Sequence, residues 1–147
     1  MNLNKTKRFG VHLDVTLKLI KQDLLRRFRD NGIDLTPEQW TILSELAGHD
    51  AIYQRDLAAN TFKDAPTVSR IIELLVKRGY LLREADEEDR RRFLVSLTDE
   101  GQKIYEKSAP ILYDARTLGW TGLGDKDYDD LTRILGKISS NITKNQS

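Results

Sequence analysis

At 147 residues the chain has the length of one domain, enough to bury roughly two thirds of the surface its unfolded form would expose. The absence of cysteine excludes disulfide scaffolds, thiol nucleophiles, thiolate zinc sites and thiol-based peroxide sensing, and two histidines, His12 and His49, are too few for a histidine-rich metal site, so no cofactor is expected. No apolar run approaches the ~20 residues of a membrane span and the start (MNLNKTKRFG) lacks a signal-peptide core, so the expectation is a soluble cytoplasmic protein with no membrane partner.

Phe9, Leu13, Leu17, Ile20, Leu24 and Phe28 recur at spacings of four and three, which predicts a first helix over 9–28. Val11, Val15, Leu19 and Leu25 widen that stripe until it needs more than one neighbour to cover it. Asn31-Gly32 closes the helix, with glycine suited to a left-handed cap. Thr36-Pro37-Glu38-Gln39 starts the second helix as a capping box with proline in its first position. Trp40, Leu43, Leu46 and Ala47 then face inward until Gly48. A short third helix is predicted over 54–60 with Leu57 and Ala58 inside. A fourth is capped by Asp64, carries Pro66 in its first turn and turns Val68, Ile71, Ile72, Leu75 and Val76 inward before Gly79 stops it.

The period then changes from 3.6 to 2. Leu81-Leu82-Arg83 and Phe93-Leu94-Val95-Ser96-Leu97 read as two strands of a hairpin, joined by the charged loop Glu84 to Arg92. Thr98-Asp99-Glu100 caps a fifth helix that runs past Ile104, Tyr105 and Ile111 toward Leu118, and Pro110 within it predicts a kink or a break. After a connector from Gly119 to Gly124, the row Tyr128, Leu131, Leu135, Ile138 and Ile142 predicts a sixth helix with a heptad-like stripe. Residues 144–147 are expected to be loose.

Two short helices, a recognition-type helix and a hairpin, in that order, are the signature of a winged helix-turn-helix. The expected fold class is therefore mainly α with a small β-hairpin wing. The net charge of +1 does not speak for or against DNA, because residues 1–30 carry eight basic and three acidic side chains while residues 31–98 carry nine and twelve. Two faces of the chain speak more directly. Pro66, Thr67, Ser69 and Arg70 lie on the outward side of the fourth helix near its start, where base edges and phosphates meet such a helix. The same pattern also suits Thr67 and Ser69 as local capping residues and Arg70 as a solvated side chain. Arg90, Arg91 and Arg92 lie at the tip between the strands, where a wing projects arginine into a narrow minor groove.

The stretch from Leu35 to Lys107 resembles the MarR family of transcription factors, the multiple-antibiotic-resistance regulators. Its most specific piece is Asp86-x-x-Asp89-Arg90-Arg91, followed by Leu97-Thr98 and Gly101. The resemblance implies a homodimer whose first and last helices form the dimerisation region (residues 1–34 and 110–147) around a winged-helix lobe (35–100). It implies a double-stranded operator with twofold pseudosymmetry, most often repressed, with Pro66, Thr67, Ser69 and Arg70 at contacting positions. Asp89 would position Arg91 for the minor groove, and Arg90 and Arg92 would contact phosphate or solvent. It implies a small aromatic or lipophilic effector where the dimerisation region meets the lobe. His12 and Trp40 are the candidate lining residues there, but the register of Trp40 with Leu43 and Leu46 favours the core, and the place of His12 beside Phe9 and Leu13 favours a partly buried structural histidine. Neither a phosphate-binding loop nor a nucleophile–base pair marks an enzyme. The competing reading is a winged-helix module that docks on protein, for which the arginine tip would be dispensable.

Overall fold

The computed structural model describes residues 3–145. Helix α1 spans Leu3–Asp30, six residues longer at its start than the apolar periodicity predicts, and ends as expected at Asn31-Gly32. Gly32 adopts φ +66, and the Ile33 amide donates to the Phe28 carbonyl at 2.8 Å, the bond that closes a left-handed helix end. Helix α2 (Pro37–Leu46) begins with both halves of the capping box: the Gln39 amide donates to Thr36 Oγ1 at 3.1 Å and the Thr36 amide to Gln39 Oε1 at 3.0 Å. Such a box satisfies two of the amides that every helix start leaves free.

A two-residue strand, β1 (Ile52–Tyr53), precedes α3 (Gln54–Asn60); the periodicity does not predict it, because two residues have no period. Helix α4 (Ala65–Lys77) is capped by Asp64 and ends before Gly79 at φ +78. Strands β2 (Leu81–Ala85) and β3 (Phe93–Leu97) pair antiparallel from Leu81 opposite Leu97 to Ala85 opposite Phe93. Pairing with Leu94 and Phe93 draws Glu84 and Ala85 into the ladder, so the loop is shorter than the charged run suggests. Strand β1 adds to the free edge of β3, which makes the hairpin a three-stranded sheet in the order β1-β3-β2.

Phe28, Ile42, Leu43, Leu46, Leu57, Val68, Ile72, Leu75 and Val95 are fully enclosed and form the core between helices and sheet. Leu24 and Phe28 anchor the C-terminal end of α1 in that core, and Lys21 Nζ donates to Glu38 Oε1 across to α2. Val76, expected inside, is exposed: it sits in the last turn of α4, where the apolar stripe runs past the edge of the core. Trp40 joins α2 to α5 (Asp99–Gly119), with Nε1 donating to Ser108 Oγ at 2.9 Å and the indole stacked on Tyr105 at 5.8 Å.

Helix α5 runs unbroken through Pro110, so the break does not occur. Proline removes one amide and frees the carbonyl four residues back. Both Pro110 and Glu106 are exposed, so water can serve that carbonyl while Leu112 stays in the core. The described residues up to Tyr113 form one compact unit and those from Asp114 onward a second. In the second unit Trp120 packs on Tyr128 at 5.6 Å, and the Gly124 amide donates to Asp127 Oδ2 at the start of α6 (Asp125–Lys144). Lys144, expected to be loose, closes α6; Gln146 and Ser147 lie outside the described residues. Among the described residues no helix is long and apolar enough to cross a membrane.

Candidate nucleic-acid interface

Two elements carry the residues singled out for DNA. At the start of α4 the Asp64 carboxylate accepts the Thr67 amide at 2.9 Å and the Thr67 hydroxyl at 2.7 Å. These bonds, the hydroxyl's first, hold the Asp64 carboxyl below its usual range. Thr67 therefore serves as a capping partner, one of the two roles its position allowed. Pro66 and Arg70 are exposed on the same side, and the Ser69 hydroxyl lies 3.4 Å from Glu73 Oε1. A rigid start to α4 with free polar surface follows from this arrangement.

The wing is built on a carboxylate that sequence alone does not single out for this task. Asp86 is buried, accepts the Tyr53 hydroxyl at 2.6 Å on Oδ2 and takes the Glu88 amide at 2.9 Å on Oδ1. The Asp86 amide donates to the Arg92 carbonyl and the Arg92 amide to the Asp89 carbonyl, both at 2.9 Å, which folds the loop 86–92 back on itself. Arg92 lays its guanidinium 3.8 Å from the Tyr53 ring centre, with Nη1 4.0 Å from Asp86 Oδ2. Deeper in the hairpin Arg83 covers the Phe93 ring at 3.9 Å. The wing thus leans on β1, the strand whose Tyr53 supplies both the hydroxyl and the ring.

That scaffold sorts the three arginines. Arg92 lies across the Tyr53 ring and braces the wing while remaining exposed, so solvent or phosphate is not its whole role. Arg90 is exposed. Arg91 extends outward with its side chain 90% exposed, held at its root by Asp89: Nε donates to Oδ1 at 3.0 Å, Nη2 to Oδ2 at 3.3 Å and the Arg91 amide to Oδ1 at 3.1 Å. Arg91 in turn keeps the Asp89 carboxyl below the usual carboxylate range. Between the wing and the starts of α3 and α4 lies a cleft of about 350 Å³, lined among others by Tyr53, Arg55, Val68, Arg91 and Phe93. Gln54, whose Oε1 is buried without a hydrogen-bond partner, also lines it.

Neither effector candidate lines that cleft. His12 stands exposed on α1, and Trp40 is buried with its indole N–H committed to Ser108, so Trp40 is a core residue and does not form an open aromatic wall.

The depressed carboxyl of Asp86, caused first by the Tyr53 hydroxyl, has a pH consequence. A group whose folded pKa is lowered stabilises the fold above its ordinary pKa and loses that contribution as pH falls through the folded value. The stability difference between the native chain and Tyr53→Phe is expected to be constant from about pH 5 to pH 8 and to shrink below about pH 4. Urea unfolding of both proteins across that range measures it; a difference that grows toward acid would contradict the Asp86–Tyr53 coupling.

Residues 33–92 match the model of the MarR family. The transcriptional regulator HosA of Escherichia coli is 30% identical over 95 residues, spanning 65% of this chain and 70% of HosA. The chain belongs to the MarR family. The regulator FarR of Neisseria gonorrhoeae is 28% identical over 130 residues, spanning 86% of this MarR protein and 81% of FarR. The solved structure of Bordetella bronchiseptica BpsR, whose DNA binding is regulated by 6-hydroxynicotinic acid, superposes with a TM-score of 0.78 at 27% identity, over 88% of this chain and 91% of that one. These similarities make the MarR protein a DNA-binding transcriptional regulator of the winged-helix class, not an enzyme.

Proposed function

We propose that this MarR protein is a homodimeric repressor that occupies a pseudopalindromic operator and leaves it when a small aromatic or lipophilic effector binds. The observation that carries the reading is Arg91: an arginine 90% exposed and held at its root by Asp89, on a wing beside the exposed face of α4. Pro66, Thr67, Ser69 and Arg70 meet the major groove, Arg91 enters the adjoining minor groove, and Arg90 contacts phosphate. Arg92 acts through the wing it braces.

The dimer reading rests on uncovered apolar surface. Val11, Val15, Leu17, Leu19 and Ile20 are exposed along α1, as are Tyr128, Leu131, Ile134 and Ile142 along α6. Contiguous apolar rows of this kind mark an interface, and closed twofold assemblies are the commonest way to cover one. Segments 1–34 and 110–147 form the dimerisation region in this reading, with 35–100 as the DNA-binding lobe. BpsR supplies the analogy for effector control; here His12, exposed on α1, is a polar group available to a ligand held between α1 and the lobe, whereas Trp40 is closed in the core. Release follows if the effector binds better to a dimer whose recognition helices are wrongly spaced.

Selection from random duplex DNA at near-physiological salt tests the function. The expected result is a twofold-symmetric motif with half-sites about one helical turn, ~34–36 Å, apart, bound with an affinity that falls steeply with salt. No enrichment over input would overturn the operator reading and favour a protein-docking module.

A further inference from the structure

The turn that joins α3 to α4 contains a residue at odds with its surroundings. Phe62 adopts φ +53 and is, among the described residues, the one non-glycine position with positive φ. Left-handed backbone at Gly32, Gly48, Gly79 and Gly122 is taken by the residue that suits it. The turn at Phe62 is well formed: the Thr61 amide donates to the Leu57 carbonyl at 3.1 Å and the Lys63 amide to the Ala58 carbonyl at 3.2 Å. Left-handed geometry is therefore demanded by the backbone, and an L side chain occupies it against its preference. The ring itself is 98% exposed. An aromatic group that strains its own backbone and buries almost nothing contributes little to the folded chain, and strain of that kind concentrates where a protein meets a ligand.

We propose that Phe62 is a DNA-contacting residue, an apolar foot that packs on the sugar and thymine-methyl surface at the edge of the groove entered by α4. The proposal rests on the reading of α4 as the recognition helix. Position favours DNA as the occupant: Phe62 lies two residues before the Asp64 cap, on the turn that carries the start of α4 with its exposed Pro66 and Arg70. Lys63 beside it supplies a cation for the flanking phosphate, so the turn presents an apolar ring and a charge together. The apolar rows suited to a second copy lie on other elements, along α1 and along α6.

The test uses Phe62→Gly in the full chain and a duplex enriched by the native protein from the random library. Glycine relieves the backbone, so the melting temperature is expected to rise by roughly 2–4 °C. Affinity for the duplex is expected to fall about tenfold, the range for losing a partly buried aromatic contact. The slope of log affinity against log salt should stay the same, because no cation is removed. Phe62→Leu should recover part of the affinity and Phe62→Asn should not. Affinity within twofold of native for Phe62→Gly overturns the proposal while leaving the operator reading intact. A change in sedimentation of Phe62→Gly without DNA overturns it too, by showing that a second copy covers the ring. A native chain that enriches no duplex overturns the operator reading and this proposal together.

Discussion

Gly101→Ala is expected to cost about 3 kcal/mol of stability, near the upper end for overpacking a filled site. A Cβ at Gly101 would lie 2.0 Å from the Tyr80 carbonyl oxygen and 3.0 Å from its carbon, with Leu97 Cδ2 at 3.3 Å. The first two are backbone atoms and cannot swing aside as a flexible side chain would. They are also fastened in place: the Thr98 amide donates to the Tyr80 carbonyl at 3.1 Å, and Thr98 Oγ1 donates to the Gly79 carbonyl at 2.6 Å while accepting the Gly101 amide at 3.0 Å. Alanine would gain up to ~1 kcal/mol of helix propensity over glycine, which is too little to offset the clash. For a chain of this length the melting temperature should drop by roughly 6–12 °C. Because Tyr80 and Thr98 tie the base of the hairpin to the start of α5, the wing should loosen as well, and hydrogen exchange in β2 and β3 would show it. An unchanged melting temperature would mean that α5 can slide away from Tyr80 at no cost.

Arg91→Ala should weaken operator binding by roughly 1–3 kcal/mol per wing without loss of fold. A side chain 90% exposed leaves no cavity when truncated, and its ion pair with Asp89, open to solvent, stabilises the free protein little. On a twofold operator both wings lose the contact, so the loss per dimer should exceed tenfold, with a shallower salt dependence. Asp89→Asn should give a smaller loss, because the arginine remains but is no longer held at its root. Equilibrium titration of the selected duplex, with circular dichroism as the fold check, measures both. Arg92→Ala is the informative contrast: it removes the guanidinium stacked on Tyr53, so thermal stability should fall with affinity. Full affinity in a correctly folded Arg91→Ala protein would sink the wing assignment.

The motif containing Gly101 is visible in the sequence, but the reason for glycine there is not, because the colliding carbonyl belongs to Tyr80 on the far side of the hairpin. Arg91 was separable from Arg90 and Arg92 only through the family resemblance. In the structure the separation has a local cause: Asp89 lies two residues before Arg91, within reach of both its amide and its guanidinium. The register of Trp40 with Leu43 and Leu46 points to the core, although the resemblance also makes it a candidate for a ligand wall. Its hydrogen bond to Ser108 spans 68 positions, which no helical period records.

The capped starts of α2 and α4, the glycine stops of α1 and α4 and the existence of the hairpin were determined by the sequence by itself. Caps such as Thr36 and Asp64, left-handed glycines such as Gly32 and Gly79, and an alternation of period 2 all act over a few neighbouring residues. The third strand, the stacking of Arg92 on Tyr53 and the burial of Asp86 were decided only by tertiary structure. Tyr53 and Asp86 stand 33 positions apart, and the ring and hydroxyl that organise the wing meet it only once β1 has been laid along β3. Burying a carboxylate is unfavourable unless partners satisfy it, so its place depends on what the fold brings to it, and those partners are not its neighbours in the chain.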